Sequence, residues 1–413
     1  MVRESKSRQL PWQFHRPTCA EIDLAALVQN FRAFASLLPA KTFICPMVKA
    51  NAYGHGDVEV ARALRAAGAA HLGVGLIEEG ISLRLSGDQK PLLLFGLYNE
   101  ASAHAVIEFD LTSVVSQWQQ LYSLLLALKK RKSDSSGRIS VHLKFNTGMN
   151  RLGFAPSDAP KLREFFDSHP EFDLNGVCTH FLRGDDAGAE GGESEAQFHR
   201  FATVLRSFEG MSVTVHALNS SATANLWKRA SDQKSLSADA LWPVGVRPGI
   251  GLYGVQPSND ERAELPLKPV LTFKSQIVMI HQLKAGEKVS YNGTWQAKTD
   301  SVIGVVPVGY ADGYFRALSN RGQVLCRGHR VSVAGTVCMD YFMIDLTGLP
   351  TSGENPVAVG EDVTLIGRQG EQEITATEVA NLIGTIPYEV LTHIGERVPR
   401  VYVRSNEEDV RQK

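Results

Sequence analysis

Lys49 is the first residue whose surroundings suggest chemistry. It follows the apolar run ICPMV and precedes ANAYGHG, a turn-rich segment in which Gly54 and Gly56 permit close approach of the backbone to a ligand. Desolvation at the end of a buried strand lowers the pKa of a lysine, and the neutral amine forms a Schiff base with an aldehyde. Taken alone, however, a lysine at a strand end is usually an ordinary surface residue.

Other polar side chains follow predicted strands further along the chain. In an α/β barrel, functional groups gather at the carboxyl ends of the strands. The set comprises Lys144, Arg151, His180, Asn219, Ser220 and Arg247. No metal site is expected, because neither H-E-x-x-H nor a Cys/His ligand spacing occurs. The sequence also lacks a Walker-type phosphate loop.

Eight β-rich runs between residues 18 and 255 must position these side chains. Helix-period segments such as VEVARALRAAG and PKLREFFDSH separate several of them, which indicates strand–helix–strand units and a parallel sheet. The runs are KTFICPMV, HLGVGL, PLLLFG, LTSVV, ISVHLKF, LNGVCTHF, SVTVHAL and VGVRPGI. Eight units of this kind predict an N-terminal (β/α)8 barrel. A doubly wound sheet is the alternative, but the near match to G-x-G-x-x-G at Gly73 has Glu78 in place of the third glycine.

The sequence changes character after about residue 256. Short β segments separated by glycine turns then dominate, with one helix predicted at TATEVANLIG. We therefore predict an α/β fold with three regions: a flexible leader over 1–17, the barrel over 18–255, and a mostly β C-terminal domain over 256–413.

Composition narrows the range of partners. The 413 residues carry 43 Lys and Arg against 44 Asp and Glu, so no net field favours nucleic acid or an anionic membrane. No apolar run approaches the length of about 18 residues that a membrane crossing requires. The five cysteines form no C-x-x-C pair, which fits reduced thiols in the cytoplasm.

The segment PMVKANAYGHG closely resembles the cofactor-lysine signature of alanine racemases, which bind pyridoxal 5'-phosphate in an α/β barrel. Further family-like segments follow in the expected order from about residue 20 to 403: LKFNTGMNRLGF, THF, HALNSSA, VRPGIGLYG, VSYNGTW, VGYADGY, GTVCMD, PYEV and RVPRVY. The resemblance implies an isomerase that interconverts L-alanine and D-alanine and supplies D-alanine for cell-wall peptidoglycan.

By this resemblance, two groups act as bases on opposite faces of the substrate. Lys49 would hold the cofactor and serve as one base, and Tyr291 in VSYNGTW would be the other. Racemisation needs removal of a proton on one face and delivery on the other, so two such groups are chemically sensible. His180 and Arg247 match a family relay that would lower the pKa of the tyrosine.

The resemblance also assigns residues that hold the cofactor. Arg247 would face the pyridine nitrogen, where a permanent cation discourages protonation and weakens the ring as an electron sink. Phosphate sites in such barrels use late loops and helix starts, where Ser220, Gly249 and Ile250 fall. The family pattern adds the hydroxyls of Tyr53 and Tyr388.

Arg151 resembles the family arginine that binds the phenolic oxygen of the cofactor and the carboxylate of the substrate. Lys144 matches a lysine that many members carry as a carbamate to position that arginine. This chain has Asn146 where an aspartate is usual, which leaves the carbamylation of Lys144 open.

Tyr310 and Met339 resemble residues that reach into the active site of a partner subunit. The resemblance therefore implies a homodimer in which Tyr291, Tyr310 and Met339 serve the cofactor of the other chain. Tyr310 and Met339 would also crowd the pocket near the α-carbon, which favours alanine over larger substrates.

Alternatives remain at this stage. Serine, or a broader set of amino acids, could be the substrate, because an apolar pocket discriminates poorly between near-isosteres. A barrel-type pyridoxal-phosphate decarboxylase and a non-catalytic carrier of the cofactor are further possibilities. The racemase-like segment around Tyr291 argues against the first, and the residues after the barrel argue against the second.

Overall fold

The computed structural model describes residues 15–130, 138–187, 189, 191–232, 244–257 and 265–404, with the backbone alone for residues 227–232. The chain forms two compact units. The barrel unit comprises Leu24–Lys268, and the β unit comprises Met1–Asp23 together with Pro269–Lys413. Most of the predicted leader, residues 1–14, lies outside the described residues. None of the described helices has both the length and the apolarity that a membrane crossing would need.

Seven parallel strands form the sheet of the barrel unit, and strands adjacent in sequence are adjacent in the sheet. They are β2 (Leu72–Val74), β3 (Leu92–Leu94), β4 (Thr112–Val115), β5 (Ile139–Lys144), β6 (Phe172–Cys178), β7 (Thr214–Asn219) and β8 (Gly245–Arg247). Their apolar side chains are largely buried. Continuous buried runs of this kind are typical of parallel strands that are covered on both faces.

Helices connect the strands in the order expected for a barrel. They are α1 (Leu24–Ser36), α2 (Lys49–Tyr53), α3 (Asp57–Ala66), α4 (Ile77–Leu85), α5 (Glu100–Glu108), α6 (Trp118–Lys130), α7 (Ala159–Ser168), α8 (Glu193–Arg206) and α9 (Ser220–Asp232).

The segment 44–47 closes the sheet as an irregular eighth strand. Ile44 bridges Val246 of β8, and Met47 bridges Gly73 of β2, both in parallel. Pro46 lies between them and has no N–H to donate, so it interrupts a regular ladder. The predicted (β/α)8 barrel is thereby confirmed, and its first strand is the predicted run KTFICPMV.

The described residues of the β unit form three sheets. Their strands are β1 (Cys19–Asp23), β9 (Leu271–Gln276), β10 (Met279–Leu283), β11 (Lys288–Val289), β12 (Trp295–Gln296), β13 (Ser301–Val306), β14 (Gln323–Cys326), β15 (His329–Ser332), β16 (Phe342–Asp345), β17 (Asp362–Gln369), β18 (Gln372–Ile374) and β19 (Arg400–Val403). The largest sheet has the order β15-β14-β17-β9-β1-β19 with β18 paired to β17, and the smaller ones are β10-β13-β16 and β11-β12. The mostly β nature of this region agrees with the prediction.

Two elements of the β unit are absent from the sequence-based description. Strand β1 precedes the barrel in sequence, yet it pairs antiparallel with β9 and parallel with β19. Helix α11 (Pro387–Thr392) follows the predicted helix α10 (Ala376–Ile383). Thr375 caps α10 by accepting a hydrogen bond from the Glu378 amide, and Gly384 ends it in the left-handed conformation.

Candidate active site

The carboxyl ends of the barrel strands carry the predicted site residues of the barrel unit. Lys49 begins α2 directly after the closing segment, and Lys144 ends β5. Ser220 follows β7 without a gap and begins α9, while Arg247 ends β8. His180 lies two residues beyond the end of β6. Polar side chains at the ends of five adjacent strands therefore lie at one end of the barrel, where functional groups gather in this architecture.

Lys49 is followed by a turn of left-handed backbone. Ala50, Asn51, Ala52 and Tyr53 have φ values between 51° and 53°, and Gly54 continues the turn at 85°. Each non-glycine residue in this conformation costs roughly 1–2 kcal/mol. Strain of this kind persists only where surrounding contacts hold it, and it is concentrated at functional sites.

Burial and charge both act on the amine of Lys49. Desolvation is the larger cause that lowers its pKa, and the positive charge of Arg151 lowers it further. The carboxylate of Glu79 acts in the opposite direction. A lowered pKa increases the fraction of neutral amine, which is the form that attacks a carbonyl carbon.

Arg247 lies at the centre of a buried hydrogen-bond network. Its Nη1 donates to Nδ1 of His216 at 2.7 Å, and its Nη2 lies 3.1 Å from Nδ1 of His180. Nη2 also donates to the carbonyl oxygens of Thr179 at 2.7 Å and Ala217 at 3.0 Å. Because a guanidinium only donates, both histidines must present an unprotonated Nδ1 to it.

The network continues through a second imidazole. Nε2 of His216 lies 2.8 Å from Nδ1 of His142, so a neutral His216 carries its proton on Nε2 and donates it to His142. Burial, with help from the charge of Arg247, lowers the pKa of His216 well below the ordinary value. Burial also lowers the pKa of His142 to about 3. Both imidazoles therefore remain neutral beside the Arg247 cation.

Ser220 and Tyr53 form a small cradle at the start of α9. The Ser220 hydroxyl accepts hydrogen bonds from the amides of Gly249 at 2.8 Å and Gly251 at 3.4 Å. A Cβ on Gly249 would lie 2.5 Å from the Tyr53 hydroxyl, so only glycine allows this approach. Hydroxyls and amides at the N-terminus of a 13-residue helix suit a phosphate group.

Lys144 is buried among cations. Burial is the main cause that lowers its pKa to about 8, and Arg247, Arg151 and Lys49 contribute in the same direction. Asn146 does not supply a charge: its Oδ1 accepts hydrogen bonds from the amides of Gly148 and Asn150 and orders the loop that leads to Arg151. The structure thus brings Lys144, Arg151 and Lys49 into one electropositive cluster.

The remaining predicted site residues belong to the β unit. Tyr291, Tyr310 and Met339 are exposed, with 69%, 39% and 52% of their surface accessible. The Tyr310 amide donates to Cys338 at 3.0 Å, and Thr336 donates to the carbonyl of Tyr291 at 3.1 Å. The segment 336–339, which contains Met339, therefore contacts both the loop of Tyr291 and the loop of Tyr310. Tyr388 lies in α11, and desolvation raises the pKa of its hydroxyl.

Sequence reasoning missed the two histidines of the Arg247 network and the carboxylate of Glu79. His142 and His216 are buried and have apolar sequence neighbours on both sides within SVHLKF and TVHALN. A titratable residue in the middle of a buried strand was the available signal. Glu79 offered no comparable signal, because a glutamate in the first turn of a helix is ordinary.

Comparison with known proteins agrees with this geometry. Sequence profiles described as the N-terminal and C-terminal domains of alanine racemase match residues 22–257 and 270–402. The chain belongs to the alanine racemase family. It is 40% identical to the alanine racemase of Carboxydothermus hydrogenoformans, over 94% of this chain and all of the relative. It is 38% identical to that of Geobacillus stearothermophilus, over 95% of each chain.

Solved structures give the same result. The crystal structure of alanine racemase from E.faecalis superposes with a TM-score of 0.80 at 34% identity, and the match covers 95% of this chain and 99% of that chain. The enzyme from Bacillus anthracis with bound L-Ala-P superposes with a TM-score of 0.81 at 34% identity, covering 95% and 96%. Membership in the family thus extends over both units of the chain.

Proposed function

We propose that this chain interconverts L-alanine and D-alanine with pyridoxal 5'-phosphate attached through the amine of Lys49. The observation that carries the proposal is the lowered pKa of that amine at a barrel end which also holds the Arg247 cation and the Ser220 cradle. When bound, the cofactor withdraws electrons from the α-carbon of an attached amino acid, so that its proton becomes removable.

The donor set of the barrel unit fits this cofactor. Ser220, Tyr53, Gly249 and Ile250 would hold its phosphate, joined by Tyr388 of the β unit. Arg247 would face the pyridine nitrogen. Its guanidinium keeps its proton under ordinary conditions, and its hydrogen bonds to Thr179 and Ala217 fix its plane.

Two side chains would move the α-proton. Lys49 would act on one face and Tyr291 on the other, with His180 and Arg247 as the relay that serves the tyrosine. A positioned acid or base contributes about 10²- to 10⁴-fold to the rate. Arg151 would bind the carboxylate of alanine, and a carbamate on Lys144 would place a negative charge beside Arg151.

Tyr291, Tyr310 and Met339 would serve the active site of a second subunit in a homodimer. Their exposure leaves them accessible for that contact. Tyr310 and Met339 would leave the pocket room for a substrate side chain little larger than a methyl group. The enzyme would work in the cytoplasm, where D-alanine is consumed in peptidoglycan precursors.

The test combines absorbance with chirality. The purified protein should bind pyridoxal 5'-phosphate with a visible absorbance band that Lys49→Ala abolishes and that Lys90→Ala, an exposed lysine, retains. Each enantiomer of alanine should lose optical activity in its presence, and serine should do so far more slowly.

Tyr291→Phe should lower kcat/KM by at least about 100-fold. Tyr122→Phe, at an exposed tyrosine of α6, should not. Release of carbon dioxide without racemisation, or binding of the cofactor without turnover of either enantiomer, would contradict the proposal.

A further inference from the structure

One carboxylate connects the Lys49 turn to the next loop of the barrel. Oε1 of Glu79 accepts a hydrogen bond from the Ala50 amide at 2.6 Å. Its Oε2 accepts from the amides of Gly75 at 2.6 Å and Leu76 at 3.1 Å. Glu79 is the third residue of α4, so its own backbone is fixed by a helix. Hydrogen bonds of this charge-assisted kind are roughly twice as strong as neutral ones.

The position of the Ala50 amide makes this contact specific for Lys49. That amide belongs to the peptide bond that leaves Lys49, and it is the first N–H of the left-handed turn. The conformation is intrinsically unfavourable for alanine, so contacts from outside the turn help to hold it. The Glu79 carboxylate provides such a contact from a neighbouring, rigid element.

The same contact places the side chain of Lys49 against the loop between β2 and α4, which contains Gly75. A Cβ on Gly75 would lie 3.5 Å from Cβ of Lys49 and 3.7 Å from its Cδ. The Gly75 amide is in turn held by Glu79. The carboxylate therefore fixes both the backbone of Lys49 and the surface along which its side chain runs.

Charge adds a second effect. Arg151, Lys144 and His180 all interact electrostatically with Lys49, and Arg151 lowers the pKa of its amine. Glu79 is the anion that opposes Arg151. Its presence keeps the pKa of Lys49 from falling as far as burial and the neighbouring cations would take it.

We propose that Glu79 is a positioning residue for Lys49, which holds the left-handed turn and balances the charge of Arg151. This inference rests on the proposed role of Lys49 as the residue that binds the cofactor. Glu79 itself does not need to touch the cofactor or the substrate.

Two substitutions separate the effects. Glu79→Gln keeps the shape of the side chain but removes its charge. The NH₂ group of the glutamine cannot accept a hydrogen bond, so at least one backbone N–H that now donates to the carboxylate would lose its acceptor. Glu79→Ala removes all three hydrogen bonds. Glu78→Gln is the matched control, because it removes the same charge from the adjacent, exposed position of α4.

The experiment follows attachment of pyridoxal 5'-phosphate to cofactor-free protein by visible absorbance as a function of pH, and then kcat and KM. In the parent protein the attachment rate should rise with pH as Lys49 loses its proton. In Glu79→Gln the midpoint should move to lower pH, since the protonated amine has lost its anion. Both Glu79 variants should lose up to about 100-fold in kcat, more than they change in KM, because the amine is misplaced.

A purely structural residue would change the melting temperature without moving the pH midpoint. The inference is wrong if both Glu79 variants attach the cofactor with the midpoint and rate of Glu78→Gln. The inference would also be wrong if Glu79→Gln folds normally but its pH midpoint for cofactor attachment equals that of the parent protein. If the parent protein shows no Lys49-dependent absorbance, the proposed function fails instead.

Discussion

Arg16 forms a bidentate ion pair with Asp312, whose carboxylate is completely buried. Nη1 and Nη2 of Arg16 lie 2.9 Å and 2.7 Å from the two carboxylate oxygens. Asp312 also accepts a hydrogen bond from the Gly309 amide at 3.0 Å and lies 3.5 Å from Arg397. Asp312 thereby ties the segment before β1 to the loop that carries Tyr310.

Removal of this carboxylate should destabilise the β unit. In Asp312→Ala, the buried Gly309 amide loses its acceptor and Arg16 loses its bidentate partner, while Arg397 keeps its ion pair with Asp340. Loss of one member of a buried pair costs about 3–5 kcal/mol. Thermal unfolding should occur at a clearly lower temperature. Asp300→Ala, which breaks an exposed pair with Lys284, should lower the melting temperature far less, because surface ion pairs contribute little to stability. Equal melting temperatures for the two variants would contradict this reading.

A side chain at position 309 should displace the loops of Tyr310 and Met339. A Cβ on Gly309 would collide with the backbone of Cys338 and Met339, which cannot move as a flexible side chain could. Gly309→Ala should therefore lower kcat/KM and the melting temperature together. Gly348→Ala, where a Cβ meets nothing within 4 Å, should change stability by no more than about 0.5 kcal/mol. Wild-type kinetics in Gly309→Ala would show that these loops tolerate displacement.

Much of the barrel was readable from the sequence because its strands are local. Each run, such as PLLLFG or ISVHLKF, pairs with the next run along the chain, and the turn and helix signals lie between them. Strand β1 had no such signal. Its partners β9 and β19 lie far away in sequence, and nothing within CAEID indicates a pairing that only the folded β unit creates.

In the candidate site, too, some residues could be identified from the sequence and others could not. Lys49, Arg151 and Arg247 lie in segments with recognisable motifs, and the motifs identified them. The partners that fix their geometry did not stand out. Glu79 contacts the Lys49 turn from helix α4, and His216 meets Arg247 across neighbouring strands. Such contacts depend on register and on side-chain direction, which composition and spacing do not specify.

Stability should fall on the acid side because His142 is buried as a neutral base. Its pKa is lowered from the model-peptide range to about 3, with burial as the main cause. Between the unfolded value near 6.5 and that folded value, the unfolded chain binds more protons, so stability falls as pH decreases through this window. His142→Gln should flatten the dependence of the melting temperature on pH below about 6.5. His104→Gln, at an exposed position of α5, should leave the slope unchanged, and an unaltered slope in His142→Gln would refute the assignment.

Lys144 should take up carbon dioxide in a pH-dependent manner. A carbamate forms when the neutral amine attacks carbon dioxide and releases a proton, so the neutral fraction sets the yield. Because the pKa of Lys144 is lowered to about 8, chiefly by burial, that fraction rises as pH increases through this value. A new negative charge would then lie among Arg151, Arg247 and Lys49, which favours the product.

With ¹³C-labelled bicarbonate, a carbamate signal should grow from pH 7 to pH 9 and be absent in Lys144→Gln. The same experiment on Lys129→Gln, at the end of α6, should retain the signal. If the parent protein shows no signal at any pH in this range, the prediction of a carbamate on Lys144 is wrong.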